Sequence, residues 1–265
     1  ERKILKTFKD GLASNQIDDL IAETQRLQEL QLAPDSPEAL AGLPSLEIED
    51  VPKQTEKYPL EIKSEGDSKI LFHDLFTNDI AYTQIGFNTQ SISDEMIPYI
   101  PLLGTLMMGM GTRKHNYTEI SKLVGMHTGG IRTSHFSSAT VEDRQKVLSY
   151  IFFNGKALME KVDNLFDLFD ELFGEYSFDD TKRLIEIIRS SKADMEDSIV
   201  PHGNHYVSAR LQSYQSRLGK FDELTDGITY YRFLEQLLER VEKNPADVAK
   251  QFRKVAERVF TRKNA

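Results

Sequence analysis

The run Ile80-Ala81-Tyr82-Thr83-Gln84-Ile85-Gly86-Phe87 decides the fold class. In an extended chain Ile80, Tyr82 and Gln84 share one face, while Ala81, Thr83, Ile85 and Phe87 share the other. Upstream, Leu60 and Ile62 alternate with polar residues, Gly66-Asp67 supplies a turn, and Ile70-Leu71-Phe72 follows. Thr77-Asn78-Asp79 separates that hairpin pattern from the strand at 80. A further strand is expected from Ile131, after the Gly129-Gly130 break, and a core strand over residues 147 to 153, Val-Leu-Ser-Tyr-Ile-Phe-Phe.

Helical spacing fills the intervals. Ile97, Ile100, Leu103, Met107 and Met110 form a stripe over 93–110, with Ser93 as candidate N-cap and Pro98 and Pro101 expected in the first turns. Asn116 with Glu119 three residues on reads as a capping box for a helix ending at Gly125. From Lys156 the pattern turns helical through Leu158, Val162, Leu165, Phe166, Phe169 and Leu172. Residues 179–218 read as mostly helical, with Leu184, Ile187, Ile188, Met195 and Ile199 on one stripe and a break at Pro201-His202-Gly203. Two more helices are expected near 227–242 and 245–260, divided by Asn244-Pro245. Strands, helices, strands, helices, with the strands early, predict an α+β domain: an antiparallel or mixed sheet with helices on one face.

Before this domain, residues 4–30 carry Ile4, Leu5, Phe8, Leu12, Ile17, Leu20, Ile21, Leu27 and Leu30 at mostly helical spacing, with a turn at Gly11-Leu12-Ala13-Ser14-Asn15. Residues 33–59 hold five of the nine prolines, Pro34, Pro37, Pro44, Pro52 and Pro59. Proline removes a donor and biases its predecessor toward extended backbone, so this stretch reads as a connector. The expected organisation is a helical segment over 1–32, a Pro-rich connector over 33–59 and an α+β domain over 60–265.

A chain of 265 residues with 39% hydrophobic content has enough apolar material for a sizeable core. A net charge of −9 and 28% charged residues describe an acidic soluble protein. Nothing marks a basic face for nucleic acid. No apolar run approaches the roughly 20 residues that a membrane-spanning helix needs. The absence of cysteine excludes disulfides and thiolate metal sites, and fits a reducing compartment. Glu1-Arg2-Lys3 already lies in a helical pattern without an initiator Met, and Thr261-Arg262-Lys263-Asn264-Ala265 directly follows a helical run. Both ends are expected to lie inside a longer polypeptide.

Several stretches together resemble the presequence-protease branch of the insulinase-like (pitrilysin-type) zinc metallopeptidases. They are Asp35-Ser36-Pro37-Glu38-Ala39-Leu40, Pro44-Ser45-Leu46, Asp50-Val51-Pro52, His73-Asp74-Leu75-Phe76-Thr77-Asn78-Asp79-Ile80 and Thr128-Gly129-Gly130-Ile131. One departure is Asp79, where the family more often has Gly; Asp tolerates turn geometry. The family binds zinc through His-x-x-Glu-His, whose Glu is the general base. None of the six histidines here has Glu three residues on or His four residues on. The resemblance therefore implies a non-catalytic part of a peptide-degrading zinc metalloendopeptidase: the end of a hairpin linker and most of a third domain. This part would form a wall of the closed substrate chamber, with zinc in the parent enzyme and none in this chain. Its implied partners are the remaining domains of the same polypeptide and peptide substrates. The implied compartment is the cytoplasm in a bacterium or an organelle matrix in a eukaryote. By the same resemblance a strand follows the last helix.

No catalytic, metal-binding or substrate-binding residue is assigned. His202 and His205 are three apart and neutral imidazoles bind zinc, but no carboxylate stands three or four residues from either, and Pro201 and Gly203 disfavour a rigid face. Helix packing is the preferred reading, matched in the family by His205-Tyr206 and Ala209-Arg210. Gly109-Met110-Gly111-Thr112 lacks the third glycine of a dinucleotide loop, since Lys114 stands there, and reads as a helix terminus. Thr128-Gly129-Gly130-Ile131 reads as a structural turn before a binding loop. His73-Asp74 suggests a base and its orienting carboxylate, but no nucleophile motif accompanies it, and strand neighbours point to opposite faces. The acidic runs Asp163 to Glu175 and Glu235 to Glu242 read as solvated helix faces, with an acidic chamber wall attracting basic peptides as the functional alternative. Outside the peptidase reading stand two others: a scaffold that takes an extended peptide by strand addition near 80–87, and an independent hydrolase built on His202 and His205.

Overall fold

The computed structural model describes residues 2–265 and divides into two units, 1–57 and 58–265. Glu1 and the side chains of Arg2, Lys3, Ile4 and Ser14 lie outside the described residues, and so does the expected place of Ile4 in the first stripe.

In the first unit helices α1 (Arg2–Asp10) and α2 (Ser14–Leu32) flank the expected turn. The Ala13 N–H donates to Gln16 Oε1 at 2.9 Å at the start of α2. Leu5, Phe8, Leu20, Ile21, Leu27 and Leu30 are exposed. The connector contains one short helix, α3 (Pro37–Ala41), which its proline content alone does not suggest. Proline suits a first helical position, and Ser36 caps the helix by accepting from the Ala39 N–H at 3.1 Å.

The second unit is α+β, as expected. Strands β1 (Glu61–Glu65) and β2 (Ser68–Phe72) form an antiparallel hairpin. Strands β3 (Ile80–Asn88), β4 (Ile131–Ala139) and β5 (Val147–Leu158) form a separate antiparallel sheet in the order β3-β5-β4. Asn78 and Asp79 have φ of 54° and 60°, left-handed values that Asn and Asp tolerate. The turn before β3 thus survives without glycine at 79.

Around this sheet lie α4 (Tyr99–Gly109), α5 (Tyr117–His127), α6 (Val162–Gly174), α7 (Thr181–Ile199), α8 (Gly203–Ser213), α9 (Arg217–Thr225), α10 (Ile228–Lys243) and α11 (Pro245–Val259). Helices α4, α6 and α9 pack against the sheet, and α7 and α11 pack against α4. Alternation along each strand sorts the faces. Phe87, Ile131, Ile151, Phe153 and Ala157 are buried under the helices. Tyr82, Gln84, Arg132, Phe136 and Lys156, on the other face, are exposed.

Four boundaries differ from the sequence reading. β5 continues to Leu158, and helix α6 starts at Val162 rather than Lys156. Phe153, Gly155 and Ala157 keep the strand alternation, and a Cβ on Gly155 would meet Leu165 Cδ1 at 2.7 Å and Phe169 Cζ at 2.8 Å. The missing side chain is what lets α6 close on the sheet. α4 begins at Tyr99; Ser93 precedes a 3-10 turn, Asp94–Met96, and its side chain caps nothing. Pro98 and Pro101 sit at the cap and in the first turn, as expected. The capping box holds at both ends, with Asn116 Oδ1 accepting from the Glu119 N–H at 3.1 Å and Glu119 Oε2 accepting from the Asn116 N–H at 2.9 Å, but the helix runs past Gly125 to His127. Finally, the 179–218 stretch breaks a second time after Ser213; Ser216 starts α9 by accepting from the Gly219 N–H at 2.9 Å.

One buried carboxylate organises the C-terminal helices. Glu223 Oε1 on α9 accepts from Arg210 Nη1 of α8 at 3.1 Å and from the Thr229 N–H and Oγ1 of α10 at 3.0 and 2.8 Å. It thereby satisfies an N-terminal donor that α10 would otherwise leave orphaned.

The core makes a quantitative expectation. Phe153 is fully buried, edge-on to Phe87, Phe173 and Phe260 at centroid distances of 6.2, 4.8 and 5.7 Å. Phe153→Ala is expected to cost about 3–5 kcal/mol in urea unfolding. Gly155→Ala is expected to cost about 1–3 kcal/mol through overpacking against α6. Phe136→Ala, on the open face, should stay well below either; equal losses at Phe136 and Phe153 would show that the two faces are not packed differently.

Candidate functional site

The open face of the three-stranded sheet is the broadest chemically distinct surface of the second unit. Its side chains form cross-strand rows. Gln84 Nε2 donates to Asn154 Oδ1 at 2.6 Å, and Asn154 Nδ2 donates to Ser134 Oγ at 2.9 Å, so one amide row spans all three strands. Beside it lies an aromatic row: Tyr150 stacks near Phe152 at 5.8 Å, and Phe136 meets Phe152 edge-on at 6.5 Å. Phe152 lies over Gly86 of the neighbouring strand, filling the space its missing side chain leaves. The sequences of β3, β4 and β5 contain no Asp or Glu, although the chain has 42 of them. The face is therefore polar, aromatic and, through Arg132 and Lys156, cationic.

Two features border it. β3 is an edge strand; beyond its pairing with β5, the Asn88 N–H at its far end donates to the Asn264 carbonyl at 2.7 Å. At the other end of β3 is a cleft of about 210 Å³ lined by Ile80, Met126–Gly129, Lys156–Leu158 and Lys161.

The residues singled out from the sequence fall in separate places. His202 precedes α8 and bonds the Ser198 carbonyl through Nδ1 at 3.1 Å, whereas His205 Nε2 lies 3.0 Å from Asp226 Oδ2. Each imidazole has its own partner and they build no shared site. His73 is not paired with Asp74 as base and carboxylate; its Nδ1 lies 2.8 Å from the Pro59 carbonyl. Gly111 closes a tight turn after α4, with φ of 82° and the Asn116 backbone within 2.7 Å of where a Cβ would stand. The Thr128-Gly129-Gly130 turn leads into β4, with Gly130 at φ 113°, and it also forms part of the cleft. Asp163, Asp167, Asp170, Glu235, Glu239 and Glu242 are exposed on α6 and α10, as solvated faces should be. Glu171 is the exception in its run.

Glu171 belongs to a cluster the sequence does not announce, because its members lie more than fifty residues apart. Thr112 Oγ1 donates to Glu171 Oε1 at 2.5 Å, and His115 Nδ1 lies 2.9 Å from the same oxygen. The Lys114 and His115 N–H groups donate to Thr112 Oγ1 in turn. Burial works against ionisation of Glu171, but the bonds from Thr112 and His115 and the charge of Lys114 outweigh it and hold the carboxyl below its usual range. The cluster pins the loop after α4 to α6.

Among the described residues no group of three or more His, Asp or Glu is placed to hold a metal ion, so these side chains do not fit a zinc site, and no catalytic step is derived from them. No helix among the described residues is long and apolar enough to cross a membrane.

The chain belongs to the peptidase-associated family of metallopeptidase family 16, subfamily C, whose profile matches residues 1–237. Protein HypA of Clostridium perfringens is 30% identical over 263 residues, which is 99% of this chain and 27% of that protein. Presequence protease 1, chloroplastic/mitochondrial, of Arabidopsis thaliana is 32% identical over 244 residues, 92% of this chain and 22% of that protein. The mitochondrial presequence protease of Saccharomyces cerevisiae is 27% identical over 216 residues, 78% of this chain and 21% of that protein. The chain spans about a quarter of the length of these relatives. It is a presequence-protease-like region of the insulinase family, as the sequence motifs implied.

The depressed Glu171 carboxyl sets a pH dependence. A carboxyl whose folded-state pKa is lowered contributes stability above its unfolded pKa and loses it as pH falls through the folded one. Glu171→Ala is expected to lower stability at pH 7 by about 1.5–3 kcal/mol, the scale of a charge-assisted hydrogen bond. The difference should shrink as the pH is taken below the usual carboxylate range. A wild-type minus variant difference that is constant from pH 7 to strongly acid conditions would show that the charge contributes nothing.

Proposed function

We propose that this chain is a non-catalytic part of a zinc-dependent peptide-degrading metalloendopeptidase, forming one wall of its closed substrate chamber. The observation that carries the reading is the one-sided sheet: helices cover one face, and the other offers amides, aromatics and two cations without a carboxylate. A sheet with one solvated face inside a larger protein is a wall with an inside. Zinc belongs to the parent protein, where a His-x-x-Glu-His motif elsewhere would supply the ligands and the base; this chain contributes enclosure, excluding water and folded proteins. Its partners are the other domains of the same polypeptide and the peptides they degrade. The relatives named mitochondrial or chloroplastic favour an organelle matrix in a eukaryote, and a cytoplasmic place in a bacterium is the counterpart.

A second reading has its own support. β3 is an edge strand, so the sheet has a side on which an extended peptide could pair as a fourth strand. On that reading the chain is a peptide-binding scaffold without enzymatic role.

The two readings separate experimentally. Zinc content and cleavage of a basic presequence-like peptide are measured on this chain and on a protein of the relatives' full length that contains it. The wall reading expects both zinc and cleavage in the long protein and neither in this chain. Stoichiometric zinc or cleavage by this chain alone overturns it. Micromolar binding of an extended peptide by this chain, with no zinc or cleavage in the long protein, favours the scaffold.

A further inference from the structure

The cleft at the start of β3 has a composition that neither reading uses. Its floor is apolar: Ile80 of β3 and Ala157 and Leu158 of β5, with Met126 of α5 across from them. Its rim carries three nitrogen-bearing side chains, His127, Lys156 and Lys161. No carboxylate lines it, in a chain of net charge −9. Asp79 and Glu160, next in sequence to lining residues, lie outside it.

The cations are held in place and left unpaired. Lys161 Nζ donates to the Met126 carbonyl at 3.1 Å, the free end of α5, which fixes the ammonium at the rim while leaving two of its three protons. Lys156 lies across the Gly129 turn, where a Cβ would meet its Cγ at 2.8 Å. That turn is itself fixed, since the Gly129 N–H donates to the Lys156 carbonyl at 2.7 Å and the Gly130 N–H to Thr128 Oγ1 at 2.9 Å. Among the described residues neither lysine makes an ion pair.

Unpaired ammonium groups above an apolar floor fit a ligand that is an anion at one end and apolar beside it. A peptide ending in a free carboxylate and an apolar side chain has that form. The location agrees with it. Ile80 both lines the cleft and begins the edge strand, so an extended chain seated antiparallel on β3 would bring its C-terminus to the cleft. We propose that this cleft binds the C-terminal carboxylate of a peptide whose last side chain is apolar. Lys156 and Lys161 hold the carboxylate, and Ile80, Met126 and Leu158 take the side chain. Every peptide-bond hydrolysis creates one such carboxylate, so the ligand class is that of hydrolysis products and of substrates with an apolar end. The proposal stands on the cleft alone and does not rest on the chamber-wall reading.

The test titrates this chain with an acetylated five-residue peptide ending in leucine, as the free acid and as the C-terminal amide, by calorimetry. The free acid is expected to bind at least about tenfold more tightly, the smallest effect a charge-assisted bond should give. Lys156→Gln should remove most of that preference, and Lys156→Arg, which keeps the charge, should retain it. Unchanged thermal unfolding of both variants shows that the fold persists. Equal binding of acid and amide, no binding of either at millimolar concentration, or a preference that survives Lys156→Gln overturns the proposal. Inorganic phosphate binding as tightly as the free acid also overturns it, because the apolar floor would then contribute nothing. None of these results bears on zinc or cleavage in the full-length protein.

Discussion

The second unit depends on an aromatic junction. Phe87 of β3, Phe153 of β5, Phe173 of α6 and Phe260 just after α11 meet with ring centroids 4.8 to 6.2 Å apart, most of them edge to face. These four rings come from positions up to 173 residues apart, from Phe87 to Phe260. They join two strands, a helix that covers the sheet and the end of the chain. Edge-to-face pairs favour particular orientations beyond the area they bury. The junction therefore fixes the angle at which α6 and the segment after α11 meet the sheet. Asn264 reinforces it from outside: its side chain donates to the Arg258 and Val259 carbonyls, and its carbonyl receives the Asn88 N–H. The end of β3 and the end of α11 are thus one structural point.

From that junction follows the one-sidedness of the sheet. Large rings on one face of β3 and β5 draw the helices there, and glycine at 155 lets them approach. The opposite face then has nothing to bury against within this unit. It holds its shape by cross-strand rows instead, through Gln84, Asn154 and Ser134 and through the rings of Phe136, Tyr150 and Phe152. Each such pair contributes only about 0.2–1 kcal/mol. The face is therefore organised without being tightly coupled to the stability of the fold, a property suited to a surface that works by contact.

Much of this was legible in the sequence. Alternation at 80–87 gave a strand with the correct faces, the hairpin over 60–72 and the capping box at Asn116 formed as expected, and the motifs of the connector and of Thr128–Ile131 carried the family. What escaped was set by tertiary contact. Lys156, Ala157 and Leu158 look helical beside Val162 and Leu165, but pairing with Tyr82, Ala81 and Ile80 keeps them extended. Glu171 sits in an acidic run and reads as solvated, yet Thr112 and His115 reach it from a loop closed by Gly111. The cleft joins residues from three separate stretches, and only its glycine turn carried a sequence signal, which the ordinary turn chemistry already explained.

The distribution of charge bears on how peptides would meet this chain. The acidic side chains of α6 and α10 lie on exposed helix surfaces, and the helix layer stands between α10 and the sheet. A helix with its side chains is about 10–12 Å across. Charges beyond such a layer are more than a Debye length of about 8 Å from the open face at physiological ionic strength. Attraction of basic peptides by the acidic runs would thus act on the helix side, while the open face presents Arg132 and Lys156. If the open face is the inside of the wall, the net charge of −9 does not describe what a peptide would encounter there. Local chemistry, in amides, rings and two unpaired lysines beside an apolar cleft, would decide the contact.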